Sequence, residues 1–138
     1  RKFFPLKRSF AKANPASDET DAMWQEAMAT PVDARTWTHG TLDPRAVLSD
    51  RGSFAGVLIW HRFGAGDPAA DLGYGLNLVT DVQRAGFLKA YGKISNEVAA
   101  RAKGWQLLGA LRLIANGDPF LVRIAWERLI ELDLVREL

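Results

Sequence analysis

The chain has 138 residues, 48% of them hydrophobic and 25% charged, enough for one domain with its own core and too few for two. No apolar stretch approaches the roughly 20 residues that span a bilayer. No secretory h-region follows the basic, aromatic start, and the absence of cysteine excludes disulfides and thiolate metal sites. A cytoplasmic, membrane-free protein is therefore expected. The chain opens on Arg1 and not on Met, so its own start is expected upstream.

The net charge of +2 hides an asymmetry. Arg1, Lys2, Lys7, Arg8 and Lys12 place five positive charges on the first twelve residues, and no acid precedes Asp18. The remainder carries 13 basic against 16 acidic groups, a body of −3. Residues 1–16 read as a basic arm or linker ending in the turn-like Asn14-Pro15, and residues 17–138 as the folded body. Nucleic-acid binding by the arm is a secondary reading, because no further basic and aromatic interleaving supports it.

Ser17 offers an N-cap, with Asp18, Glu19 and Asp21 in a first turn where the helix dipole favours acids, and the helix runs to about Ala29 before Pro31. The stretch Arg35–Thr38 alternates as a short strand and enters the loop His39–Arg45. Ala46–Ser49 and Phe54–Trp60 predict a hairpin about the polar turn Asp50–Ser53. A Gly-rich segment, His61–Gly66, leads to Asp67-Pro68, an N-cap followed by proline at the first helical position. That helix carries Ala69, Leu72, Leu76 and Val79. Asp81 is expected to cap a segment through Tyr91, which Gly92 closes. Ser95 opens a long helix that Asn116-Gly117 ends, and Asp118-Pro119 repeats the start signal for a last helix with Leu121, Ala125, Leu129 and Leu132 on its core stripe. The expected fold is α+β and mainly helical: one helix, a small β-hairpin, then four helices.

Two of these segments carry a family likeness. His39-Gly-Thr-Leu-Asp-Pro-Arg-Ala-Val-Leu48 resembles HGDLHPGNLL, the catalytic-loop motif of aminoglycoside phosphotransferase-like kinases. Gly56-Val-Leu-Ile-Trp-His-Arg-Phe-Gly-Ala-Gly-Asp-Pro-Ala-Ala-Asp-Leu72 resembles that family's metal-binding motif, typically GVIDWGDAGVGDPAADL. Met23-Trp24 upstream, and Ala90-Tyr-Gly92 and Arg101-Ala-Lys-Gly-Trp105 downstream, extend the likeness from about Ala22 to the C-terminus. The resemblance implies the C-terminal lobe of a protein-kinase-like fold.

The departures from the motifs bear on chemistry. Phosphoryl transfer of this kind uses a carboxylate to orient the attacking hydroxyl, and carboxylate and amide oxygens to hold magnesium at the phosphates. By the resemblance, the catalytic Asp is replaced by Thr41, the metal-binding Asn by Ala46 and the principal metal-binding Asp by Ile59. The scaffold residues His39, Gly40, Pro44, Trp60 and Gly66–Leu72 match, and the likeness implies that Asp71 braces the catalytic loop. His39 reads as a packed loop residue bonded to backbone or to Asp71.

No strand-rich segment with a phosphate-pairing Lys precedes this region, so the 138 residues by themselves are not expected to enclose ATP. The leading expectation is a non-catalytic lobe that binds, scaffolds or regulates. Its cleft comprises His39, Asp43, Trp60, His61, Asp67 and Asp71; it holds no metal or cofactor, and an N-lobe elsewhere, a second copy or a small molecule is its partner. The alternative is a divergent small-molecule phosphotransferase completed by an outside N-lobe and using ATP and magnesium. In that case Asp43 is the candidate rescuing base, Arg45 or Arg62 binds phosphate, His61 binds metal beside Asp43 or Asp67, and Asp81 and Glu97 greet a cationic substrate. Trp24, Trp105 and Trp126 read as core anchors, and Trp37 and Trp60 as strand residues flanking the cleft.

Overall fold

A computed structural model describes residues 14–15 and 17–136; the basic run Arg1–Lys12 lies outside the described residues. Among the described residues the order is β1 (Asn14–Pro15), α1 (Ser17–Ala29), β2 (Thr36–Thr38), β3 (Val47–Asp50), β4 (Ser53–Val57), β5 (Gly64–Gly66), α2 (Pro68–Leu76), α3 (Asp81–Tyr91), α4 (Asn96–Asn116), α5 (Pro119–Glu131) and β6 (Val135–Arg136). The fold is α+β, dominated by helix, and consistent with a kinase-like C-lobe.

Helix α4 is the axis: α1, α2 and α5 all pack against it. One core cluster joins α4 to α5 through Leu107, Ala110, Leu113, Leu121, Ala125 and Leu129, with Met23, Trp24 and Trp126 packed on it. A second joins α2 to α4 through Ala69, Leu72, Leu76 and Ala102, with Val79, Phe87 and Trp105 against it. Burial of these side chains, at about 25 cal/mol per Å² of apolar surface, is the main force holding the helices together. Small residues set the spacing. A Cβ on Gly104 would fall 2.4 Å from the Cβ of Ala27, so α1 rides directly on the α4 backbone.

The caps follow sequence chemistry. Asp67 and Asp118 accept the first amides of α2 and α5 ahead of Pro68 and Pro119, Ser95 accepts from Val98 N–H at the start of α4, and Gly117 ends α4 in the left-handed region. At α3 the cap is Thr80 and not Asp81. Thr80 and Gln83 form a reciprocal capping box, and Asp81 is the first helical residue.

All the strands pair antiparallel in twos: β1 with β6, β2 with β5 and β3 with β4. The expected turn-like Asn14-Pro15 is in fact a ladder step against Val135–Arg136. The expected Gly-rich loop likewise contains β5, whose Ala65 lies opposite Trp37. The hairpin is present with shifted limits. Ala46 lies in a 3-10 turn (Pro44–Ala46), and Trp60 opens another (Trp60–Arg62) outside the strand. Arg51 and Gly52 both have positive φ, as a two-residue hairpin turn that follows strand twist requires.

Candidate functional site

The pairing of β2 with β5 delivers the segment after Thr38 to the N-terminal end of α2, where Asp71 lies in the first turn. Asp71 Oδ2 accepts the His39 amide at 2.6 Å and Oδ1 the Gly40 amide at 3.0 Å, so one carboxylate fixes two successive peptide groups. Gly40 has φ +83°, and a Cβ there would sit 2.7 Å from the Arg62 carbonyl oxygen, so glycine is required. The buried His39 ring lies 2.7 Å from the Leu58 carbonyl through Nε2, and its Nδ1 accepts the Thr41 amide at 3.4 Å. The tautomer consistent with both contacts carries its proton on Nε2. Through this ring the loop is tied to the end of the hairpin.

Thr41, Ala46 and Ile59 differ in setting. The Thr41 hydroxyl is buried and has no hydrogen-bond partner. Ala46 is fully buried, and its carbonyl accepts the Leu58 amide at 2.7 Å. Ile59 has φ 62° and ψ 54°, the left-handed region, although its side chain is 46% exposed. A β-branched residue is costly there, by roughly 1–2 kcal/mol, whereas Asn and Asp tolerate it. Ile59→Asn is therefore expected to stabilise the fold by about 0.5–1 kcal/mol after allowance for lost apolar contact. The midpoint of urea unfolding checks this, and an unchanged or lower midpoint would show that no strain is stored at this backbone position.

Thr41, Asp43, Ile59 and His61 line one cavity of about 340 Å³, together with Tyr74 of α2, Asn77 at its C-cap, and Gly109, Arg112 and Leu113 of α4. Asp43 caps its 3-10 turn and pairs with Arg45 at 2.6 Å. Burial pushes the Asp43 carboxyl up, but side-chain and backbone hydrogen bonds from Arg45 outweigh it and leave the group below its ordinary value. A carboxylate so held is a poor proton acceptor.

The remaining candidates lie elsewhere. Asp67 faces α4 with Arg101 and Trp105, on the wall of a separate cavity of about 280 Å³ beside Trp24 and Met28. Trp60 donates to the Val57 carbonyl and meets His39 edge-on. Trp37 stacks on Phe63 at 5.2 Å on the outer surface. Asp81 and Glu97 occupy the first turns of α3 and α4, and neither lines the larger cavity. Among the described residues no three His, Asp or Glu side chains are grouped to hold a metal ion.

Tyr74, Asn77 and Arg112 belong to none of the motifs that the sequence singles out. A usable signal existed on α4, where Trp105, Gly109 and Arg112 recur at intervals of four and three on one helical face. Trp105 touches Tyr74 and Asp67, a Cβ on Gly109 would meet Asn77 and Tyr74, and Arg112 donates to the Tyr74 hydroxyl at 2.7 Å. The face looks at α2 along its whole length.

No curated protein and no solved structure matches the chain. The phosphotransferase enzyme family does match, over residues 5–105, a span that contains both motif segments, the Asp71 brace and the Asp67–Arg101–Trp105 cluster. With 101 of 138 positions inside that match, the chain belongs to the phosphotransferase enzyme family.

Proposed function

We propose that this chain is a non-catalytic member of its family, a kinase-like C-terminal lobe over residues 17–138 that binds or regulates and does not transfer phosphate. The observation that carries the reading is the combination at one loop. The backbone brace from Asp71 to His39 and Gly40 is intact, while Thr41, Ala46 and Ile59 stand where the family motif has its base and metal ligands. A fold that keeps its loop geometry without the reacting groups retains a cleft and gives up the chemistry. Asp43 shares that cleft, but its bonds to Arg45 disfavour the role of replacement base.

The full-length protein, assayed with magnesium, ATP and a panel of hydroxylated small molecules, is expected to show no substrate-dependent ATP turnover. Substrate-dependent turnover that Asp43→Asn abolishes would overturn the reading and restore the alternative, a divergent small-molecule phosphotransferase completed by an N-lobe.

A further inference from the structure

The cavity between the loop and helices α2 and α4 has an unusual charge for a site expected to meet magnesium. Three arginines, Arg45, Arg62 and Arg112, line it against one acidic residue, Asp43. Arg45 and Asp43 neutralise each other at 2.6 Å. Among the described residues no carboxylate pairs with Arg62 or Arg112. Arg112 gives one hydrogen bond to the Tyr74 hydroxyl, so most of its five N–H donors remain available. Burial pushes the Tyr74 pKa up; the positive fields of Arg112 and Arg62 oppose that shift, and those of Asp43 and Asp71 add to it.

Two polar groups on residues that line the cavity lack partners within the fold. Asn77 is 2% exposed; its Nδ2 donates to the Gln106 carbonyl at 3.0 Å, but its Oδ1 accepts nothing. The Thr41 hydroxyl is equally unmet. Leaving buried polar atoms unpaired costs stability, and a ligand toward which these side chains turn can supply what they lack. Oδ1 requires a donor such as a ligand hydroxyl, and Thr41 can donate to an oxygen. Ile59 and Leu113 supply apolar wall. At roughly 30 Å³ per atom, a water's share of liquid volume, the space suits about a dozen non-hydrogen atoms.

We propose that this cavity binds a small hydroxylated anion, a phosphate monoester or carboxylate of a polyol, directly on Arg62 and Arg112 and without a metal ion. The proposal rests on the non-catalytic reading, since it fills with ligand the space where a reacting phosphoryl group would sit. Planar guanidinium groups match either oxyanion in a bidentate manner, and the Asn77 and Thr41 side chains then select for hydroxyl groups on the carbon skeleton.

The test is calorimetry on the 138-residue chain in EDTA with glycerol 3-phosphate, tartrate and, as neutral control, glycerol. At least one of the two anions is expected to bind and glycerol not to. Preference for glycerol 3-phosphate identifies the phosphate monoester, and preference for tartrate the carboxylate. Affinity is expected to fall at least tenfold in Arg62→Gln and in Arg112→Gln, and severalfold in Thr41→Val, with the Thr41→Val melting temperature no lower than that of the parent. Binding of neither anion overturns the proposal, as does binding that Arg62→Gln leaves unchanged; Arg62 is exposed, so that variant tests the charge without loss of the fold. Substrate-dependent ATP turnover in the separate assay would defeat the non-catalytic reading, whereas failure of the anions in EDTA defeats only the present proposal.

Discussion

Replacement of Asp67 by Ala is expected to lower the stability of the fold by about 3–5 kcal/mol, a large share of the roughly 5–15 kcal/mol that holds a domain together. The carboxylate accepts the Ala69 amide at 3.0 Å, Arg101 Nε at 3.1 Å and the Trp105 indole at 3.1 Å, with Arg101 Nη2 at 3.3 Å. Arg101 is 5% exposed, and its one other partner among the described residues is the Pro31 carbonyl. Without Asp67 a buried cation loses its counter-charge, α2 loses its cap, and an indole N–H is left unmet. Each loss has the same sign. Adding Arg101→Met to Asp67→Ala should recover part of the deficit, because a buried pair replaced by apolar groups is far less costly than a broken one. Denaturant unfolding of the two variants decides the matter. A loss below about 1 kcal/mol for Asp67→Ala would mean that water reaches Arg101 freely.

The second large effect belongs to Gly73. A Cβ at this position would lie 2.4 Å from the Ala102 carbonyl oxygen, 2.5 Å from the Trp105 Cβ and 2.8 Å from the Gln106 amide nitrogen. Two of these atoms are backbone, so no rotamer change relieves the overlap, and α2 must move off α4. Gly73→Ala is expected to destabilise by about 3 kcal/mol despite the gain of up to about 1 kcal/mol in helix propensity. Gly86 in α3 is the internal control. A Cβ there meets nothing within 4 Å, so Gly86→Ala should stabilise by about 0.4–1 kcal/mol. If both variants moved the thermal midpoint in the same direction, the close approach of α2 and α4 would not be what fixes Gly73.

Much of the helical frame is legible in the sequence because caps are local. Asp67-Pro68, Ser95, Asn116-Gly117 and Asp118-Pro119 each carry their own hydrogen-bond chemistry within four residues. Thr80 was missed because Asp81 is an equally good acceptor, and only the reciprocal Gln83 decides between them. Strands β1, β5 and β6 were missed for another reason. They are two or three residues long, too short to show alternation, and their partners are remote in the chain. The Asp71 contacts came through family likeness and not through pattern. The cavity walls were hidden altogether, since Tyr74, Asn77 and Arg112 become neighbours only when α2 lies on α4. The left-handed backbone at Ile59 has no sequence signal either, because isoleucine is among the last residues that would suggest it.

The β1–β6 ladder has a mechanical consequence. Asn14 pairs with Arg136 and Pro15 with Val135, so the chain enters and leaves at the same end of a two-residue antiparallel pair. Tension applied through the two flanks loads this ladder as a zipper, one rung at a time, and not in shear along the strand axes. It should part at low force, before any load reaches the α4 axis. A neighbour pulling on both flanks would thus peel the seam first and leave the helical core and its cleft intact.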